Sequence, residues 1–296
     1  MPPLRSLFFE MFNLVISRLS LLLLVIALLL TACQGSAQTT LPIPTPIPTP
    51  PAAPEGWTLV WHDEFDGDAI NRADWTFDLG GGGWGNGEAQ VYTDLPANAR
   101  VQQGLLIIEA RKEANDQGGF QFTSARLKTQ GLKTFQYGRI EARLKVPAGA
   151  GLWPAFWMLG ANFEQVGWPD CGEIDIMEYV GRDPNLVMGT LHGPGYSGAL
   201  GLTSRSLQDY PIAAAFHTYA VEWSSDQITW FYDDVAYHTL TRSDVGSDRW
   251  VFDQPFFLIL NLAAGGTLGG FISPDTAFPA QFYADYVRVY QQTSPH

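Results

Sequence analysis

Cysteine is almost missing from this chain: the 296 residues hold two, Cys33 and Cys171. That excludes a disulfide-stapled scaffold and a cysteine-rich metal site. Histidine is also scarce. The five, at positions 62, 192, 217, 238 and 296, show no close ligand spacing, so a zinc centre has no support. No Gly-x-Ser-x-Gly elbow occurs, which removes the usual sign of a Ser-His-Asp hydrolase. Positive charge is in deficit, with 17 Lys and Arg against 30 Asp and Glu and a net charge of −13. Nucleic acid is disfavoured, because its phosphates need basic patches. Strongly anionic polysaccharides are disfavoured for the same reason, and a neutral substrate fits better. An acidic surface also serves solubility, the simpler reading of the charge alone. Beyond residue 55 helical periodicity is nearly lacking, and no internal repeat is found.

What is present begins with an address. Arg5 and Arg18 supply positive charge, and residues 19–30 form an almost unbroken apolar run. The run is shorter than the ~20 residues of a spanning helix and suits the core of a signal peptide. Extension back to Phe12 leaves an uncleaved anchor as an alternative. Leu30-Thr31-Ala32-Cys33 looks like a bacterial lipobox. The likeness implies cleavage before Cys33 and lipidation of its thiol, against the alternative of an ordinary secretory signal. Gln34 is not the aspartate associated with inner-membrane retention, which points to a cell-surface or outer-membrane lipoprotein. Cys171 is then the one remaining thiol, read as a small buried filler. Residues 34–54 alternate proline with short residues and read as an extended polyproline tether. The expected organisation is a leader over 1–33, a tether over 34–54 and one globular domain over 55–293, a monomer.

Within that domain, short apolar runs separated by Gly, Pro, Asn and Asp read as strands. They lie at 57–61, 105–110, 138–146, 153–159, 172–178, 187–192, 217–223, 227–232, 235–239, 256–263 and 283–290. Many strands without helical crossovers imply an all-β antiparallel sandwich.

The densest chemistry is Gly172-Glu173-Ile174-Asp175-Ile176-Met177-Glu178. Glu173 and Asp175 alternate with Ile174 and Ile176, the period of a strand with one buried and one open face. On a regular strand Glu178 would point with the isoleucines, and a lone buried carboxylate there costs several kcal/mol. A β-bulge at Ile176-Met177 returns it to the open face. The bulged stretch spans ~13 Å, and two glutamates leaning together approach the roughly 5–5.5 Å that retaining glycosidic cleavage needs. A calcium-binding acidic strand and a merely solvated face are the alternatives.

Other stretches carry ligand chemistry. The glycine run 80–83 leads to Trp84-Gly85-Asn86-Gly87-Glu88 without the Lys-Ser/Thr of a phosphate loop; a rim presenting Trp84, Asn86 and Glu88 fits better. Trp153, Ala155 and Trp157 share one strand face, where aromatics serve either as core or as platforms for sugar rings. His192 has the chemistry to bind a sugar hydroxyl, although such a residue is more often an ordinary loop position.

With its flanks, Trp168-Pro169-Asp170-Cys171-Gly172-Glu173-Ile174-Asp175-Ile176-Met177-Glu178 closely resembles the active-site strand of glycoside hydrolase family 16. The extra Met before the last Glu resembles the laminarinase-like, endo-β-1,3-glucanase branch. The resemblance extends over residues 57–290, including Tyr137-Gly138-Arg139-Ile140-Glu141 and Asp285-Tyr286-Val287-Arg288. It implies a β-jelly roll of two curved antiparallel sheets with an open concave cleft, acting on neutral β-glucan. It implies Glu173 as nucleophile, Glu178 as general acid/base and Asp175 as the assisting acid. It also implies Trp153 and Trp157 as cleft aromatics, and His192, Asn86, Glu88 and Asn261 as polar sugar contacts. No cofactor is implied for catalysis. A structural calcium is, held by Glu64, the Gly104 carbonyl and Asp285, oxygen donors of the kind calcium requires. One departure stands out: Gly265-Gly266-Thr267-Leu268-Gly269-Gly270 lacks the family's Trp-Pro pair. That leaves open the number of subsites and the exact preferred glucan; the alternatives to a β-1,3-glucanase are a mixed-linkage β-1,3-1,4-glucanase or a galactanase of the same family, or a non-catalytic glucan-binding protein.

Overall fold

The structure, a computed structural model, describes residues 53–115 and 117–293. The expected leader, Cys33 and all but the last two residues of the tether lie outside the described residues. In chain order the strands are β1 (Trp57–Asp63), β2 (Thr76–Asp78), β3 (Gln90–Tyr92), β4 (Ala99–Gln102), β5 (Leu105–Ala114), β6 (Phe120–Ser124), β7 (Arg126–Lys128), β8 (Gly138–Lys145), β9 (Leu152–Gly160), β10 (Glu173–Tyr179), β11 (Leu186–His192), β12 (Leu202–Leu207), β13 (His217–Trp223), β14 (Gln227–Tyr232), β15 (Val235–Thr241), β16 (Phe256–Ala264) and β17 (Ala280–Gln292). Among the described residues helix is confined to single turns such as α1 (Phe163–Val166) and α2 (Gly266–Gly269).

The strands build a jelly-roll sandwich of two sheets. One runs β15-β14-β13-β8-β17-β5-β6-β3, with β1 added on β17 and β4 on β5. The other runs β12-β11-β10-β9-β16-β7-β2. Pairing is antiparallel except between β3 and β6. The acidic strand β10 therefore sits inside its sheet, hydrogen-bonded on both sides by β9 and β11.

Alternation explains which face each strand buries. On β9, Leu152, Phe156 and Met158 enter the core between the sheets; on β16, Phe256, Leu258, Leu260 and Leu262 do so. Each such side chain contributes about 1.5–3 kcal/mol on burial. The intervening residues Trp153, Ala155, Trp157, Phe257, Ile259 and Asn261 face the opposite way. There Leu159, Cys171, Phe257 and Ile259 make a small second cluster with Trp157 and Phe163 packed on it. Cys171 is wholly buried and free, as a filler should be. Burial beside Glu173 pushes its thiol up to about 11, far from thiolate chemistry.

Each of the longer expected strands is present within a few residues. The strands that sequence periodicity missed are β2, β3, β4, β6, β7 and β12, six residues or fewer each. Five of the six are five residues or fewer, too short for alternation to register.

Candidate active site

β10 carries the bulge. Opposite β9, Asp175 pairs with Trp157 and Met177 with Phe156, so the register slips by one residue between them. Opposite β11, Asp175 pairs with Thr190 and Glu178 with Met188. The extra residue sends both Ile176 and Met177 into the core, together with Ile174 and Tyr179. Glu173, Asp175 and Glu178 are left on the other face. A bulge strands a backbone group, and this one is capped from the opposite sheet. Trp230 of β14, wholly buried, donates its indole N–H to the Asp175 carbonyl at 2.8 Å. Gly189 on β11 makes room for that ring, since a methyl there would lie 2.3 Å from the indole. Trp230→Phe leaves the carbonyl buried and unmet, at a cost of about 1–3 kcal/mol. It is expected to lower thermal stability and turnover together. Unfolding and rate measurements on this variant check it; unchanged values for both would show that the cap does not hold the bulge.

Each acid has its own partners. Glu173 is half-buried and accepts the Trp168 indole N–H at 2.6 Å. Asp175 is 3% exposed, and its Oδ2 lies 3.2 Å from His192 Nε2. Glu178 is 8% exposed and accepts Trp153 Nε1–H at 3.1 Å on one oxygen and the Thr190 hydroxyl at 3.4 Å on the other. Burial, then the Asp175 charge, pushes Glu173 up to about 8. Burial, then the Glu173 charge, pushes Glu178 up to about 7. Burial and Glu178 hold Asp175 well above the usual carboxylate range. Three acids so crowded cannot all ionise near neutrality, so the row keeps a proton to donate.

The wall beside them comes from β9 and β16. Ala155 stands between Glu178 on one side and Asn261 on the other; its methyl leaves the floor between the two tryptophans open. Both rings are half-buried with their N–H groups engaged, Trp153 to Glu178 and Trp157 to the Asn261 oxygen at 2.7 Å. The Asn261 amide donates to Tyr92 Oη, which donates to Glu88 at 3.1 Å. Glu88 is 6% exposed and also takes the Gln90 amide at 2.6 Å and the Asn86 amide at 3.3 Å. The Arg126 guanidinium lies 3.7 Å from it, among the rings of Trp84, Tyr92 and Trp157. Asn86, Glu88 and Asn261 are thus brought together as expected, but much of their hydrogen-bonding capacity goes to one another. Turn α2 closes this end: the Thr267 N–H bonds the Asn86 carbonyl at 2.7 Å, and a methyl at Gly266 would meet the Trp153 ring at 3.4 Å.

Trp168, Gln90, Tyr92 and Arg126 were not singled out by sequence reading. Trp168 had a signal, an aromatic five residues before Glu173 in the same motif. The turn in which the Cys171 N–H bonds the Gly167 carbonyl folds it back over the strand. The other three gave none, because their strands are three residues each.

The expected calcium donors converge by topology, since β1 and β5 both pair with β17 around Asp285. The arrangement does not fit the ion, however. Arg288 holds both Glu64 oxygens, at 2.9 and 2.8 Å, and Arg143 pairs with Asp285 at 2.6 Å.

Comparison with known proteins places this geometry. The family model described as "Glycosyl hydrolases family 16" matches residues 86–288. A beta-glucanase of Rhodothermus marinus is 47% identical over 79% of this chain and 85% of its own. A glucan endo-1,3-beta-glucosidase of Cryptopygus antarcticus is 45% identical over 72% and 83%. The solved endo-beta-1,3-glucanase of Pyrococcus furiosus superposes with a TM-score of 0.76 at 46% identity, over 81% of this chain and 96% of that one. The row of acids on β10 and the tryptophans beside it therefore lie on a chain that belongs to glycosyl hydrolase family 16.

Proposed function

We propose that the protein is a retaining endo-glycoside hydrolase that cuts β-1,3-glucan of the laminarin type. One observation carries the reading: the bulge aligns three acids, and each of the outer two is held by an indole N–H on the open face. Glu178, kept protonated by burial, gives its proton to the glycosidic oxygen as the bond to the leaving sugar breaks. Glu173 bonds to the anomeric carbon from the opposite face. Glu178, now a carboxylate, takes a proton from water, and that oxygen displaces Glu173. Positive charge developing at the anomeric carbon favours the ionised form of Glu173. The proton it shares with Asp175 then resides on Asp175, and the Trp168 N–H supports the negative charge. Trp153 and Trp157 supply the faces against which neutral sugar rings stack. Incubation with laminarin, lichenan, agarose and xyloglucan tests the assignment: short oligosaccharides from laminarin are expected. Preferred cleavage of lichenan or agarose would reassign the substrate, and no product from any would leave a glucan-binding protein.

The pH dependence follows from the same row. Turnover needs one proton on the Glu173–Glu178 pair: with two there is no nucleophile, and with none there is no acid. Two protons leave between about 7 and about 8 in the free protein, so kcat/KM is expected to rise with pH up to about 7. It then falls about tenfold per unit above about 8. A rate profile from pH 4 to 10 checks this, and a flat alkaline side would remove the shared proton from the mechanism.

The leader supports a lipid-anchored protein outside the cytoplasm, tethered by residues 34–54. Cys33→Ala is expected to stop incorporation of labelled palmitate and cleavage of the leader, so that the longer precursor accumulates. Equal labelling of both forms would rule this out.

A further inference from the structure

We propose that Glu173, Asp175 and His192 also form a site for a divalent transition cation, zinc foremost, which blocks the cleft reversibly. Among the described residues this is the one set of three or more His, Cys, Asp or Glu whose ligand atoms all lie close together, within 4.8 Å of one another. The second observation is a buried carboxylate oxygen that makes no hydrogen bond. Asp175 is 3% exposed, yet its Oδ2 has no hydrogen-bond partner and faces His192 Nε2 at 3.2 Å. Tetrahedral zinc, with nitrogen and oxygen ligands near ~2.0–2.2 Å, separates adjacent ligand atoms by roughly 3.3 Å, so that edge is already set. Two carboxylates and one imidazole suit zinc or its neighbours; calcium would need six or more oxygens. The side chains are held in place without metal. Strand pairing sets Glu173 opposite His192, and the bulge fixes Asp175 between the neighbouring strands. Three protein ligands leave the fourth position open for water on the cleft side.

Bound zinc ties up Glu173 and Asp175. Its inhibitory effect rests on the proposed role of Glu173, whereas its binding does not. The test therefore reads binding first. Calorimetric titration of the folded chain with zinc chloride is expected to show one site, and calcium chloride none. His192→Gln and Asp175→Asn should each weaken zinc at least tenfold, about 1.4 kcal/mol. Glu178→Gln and His62→Gln, the latter on β1 outside the set, should retain it. Laminarin oligosaccharide added to Glu178→Gln should compete with zinc, and EDTA should restore hydrolysis by the inhibited wild type. Thermal unfolding reports whether each variant folds, and if His192→Gln does not, Asp175→Asn carries the comparison. Absence of zinc binding by the wild type, or wild-type affinity in both ligand variants, overturns the proposal. Zinc binding in a protein that cleaves no glucan would instead uphold the site and sink the hydrolase reading.

Discussion

Glu173→Ala and Glu178→Ala are each expected to lose hydrolysis of laminarin by about 10,000-fold or more, some 5.4 kcal/mol of transition-state stabilisation. The two losses differ in kind, and a small anion separates them. With Glu173 cut back, the face opposite the leaving group holds a void where azide can sit. Azide then attacks an activated aryl β-glucoside directly, and the product is the α-glycosyl azide. With Glu178 cut back, Glu173 still forms the covalent intermediate from a substrate whose leaving group needs no proton. Azide then opens that intermediate, and the product is the β-glycosyl azide. Product stereochemistry by NMR thus reads the role of each residue independently of the size of the loss. The opposite pattern would exchange the roles, and full activity in either variant would remove that residue from the mechanism. Glu178→Ala also removes the acceptor of the Trp153 N–H. Glu178→Gln, which keeps an acceptor there, separates the lost proton from a displaced ring.

Gly160→Ala is expected to destabilise the domain by about 3 kcal/mol or more, in the upper range for a single overpacked site. Gly160 ends β9, and its N–H bonds the Gly172 carbonyl at 3.2 Å just before β10 begins. A methyl at Gly160 would lie 2.0 Å from the Cys171 carbonyl oxygen. That atom is backbone, so no side-chain rotation relieves the clash, and the start of the acidic strand has to move. For a domain of this size the change lowers the melting temperature by about 10 °C. Activity falls with it, because Glu173 is the first residue of the displaced strand. Gly67→Ala is the control: its nearest neighbour is a carbonyl oxygen 3.8 Å away. Calorimetry on both variants decides the point; equal melting temperatures would mean the strands part at little cost.

Much of this fold was legible. Long strands such as the one holding Phe256 to Ala264 show as nearly continuous apolar runs bounded by turn signals. The three acids were legible as a group, because carboxylates at positions 173, 175 and 178 conflict with simple alternation and only a bulge resolves the conflict. The second half of the site was not. Gln90, Tyr92 and Arg126 come from three-residue strands; Gln90 and Tyr92 lie two and four positions from Glu88, but Arg126 and Asn261 join them only through contacts distant in the chain. The surroundings of the expected calcium donors were hidden for a related reason. Donor identity was readable, but the partners that neutralise Glu64 and Asp285 lie 224 and 142 positions away along the chain.

The amino-acid sequence by itself determined the sandwich class, the central acidic strand and the need for one extra residue within it. These are local properties, set by side-chain period and by the cost of burying a lone carboxylate. Only the tertiary structure decided what holds that strand. The Trp230 N–H crosses from the opposite sheet to the bulge carbonyl, and Trp168 folds back onto Glu173. Trp153 reaches Glu178 from the neighbouring strand, and His192 faces Asp175 from the other. Proton affinity in the row follows from that enclosure, because burial and the approach of like charges depend on which strands become neighbours.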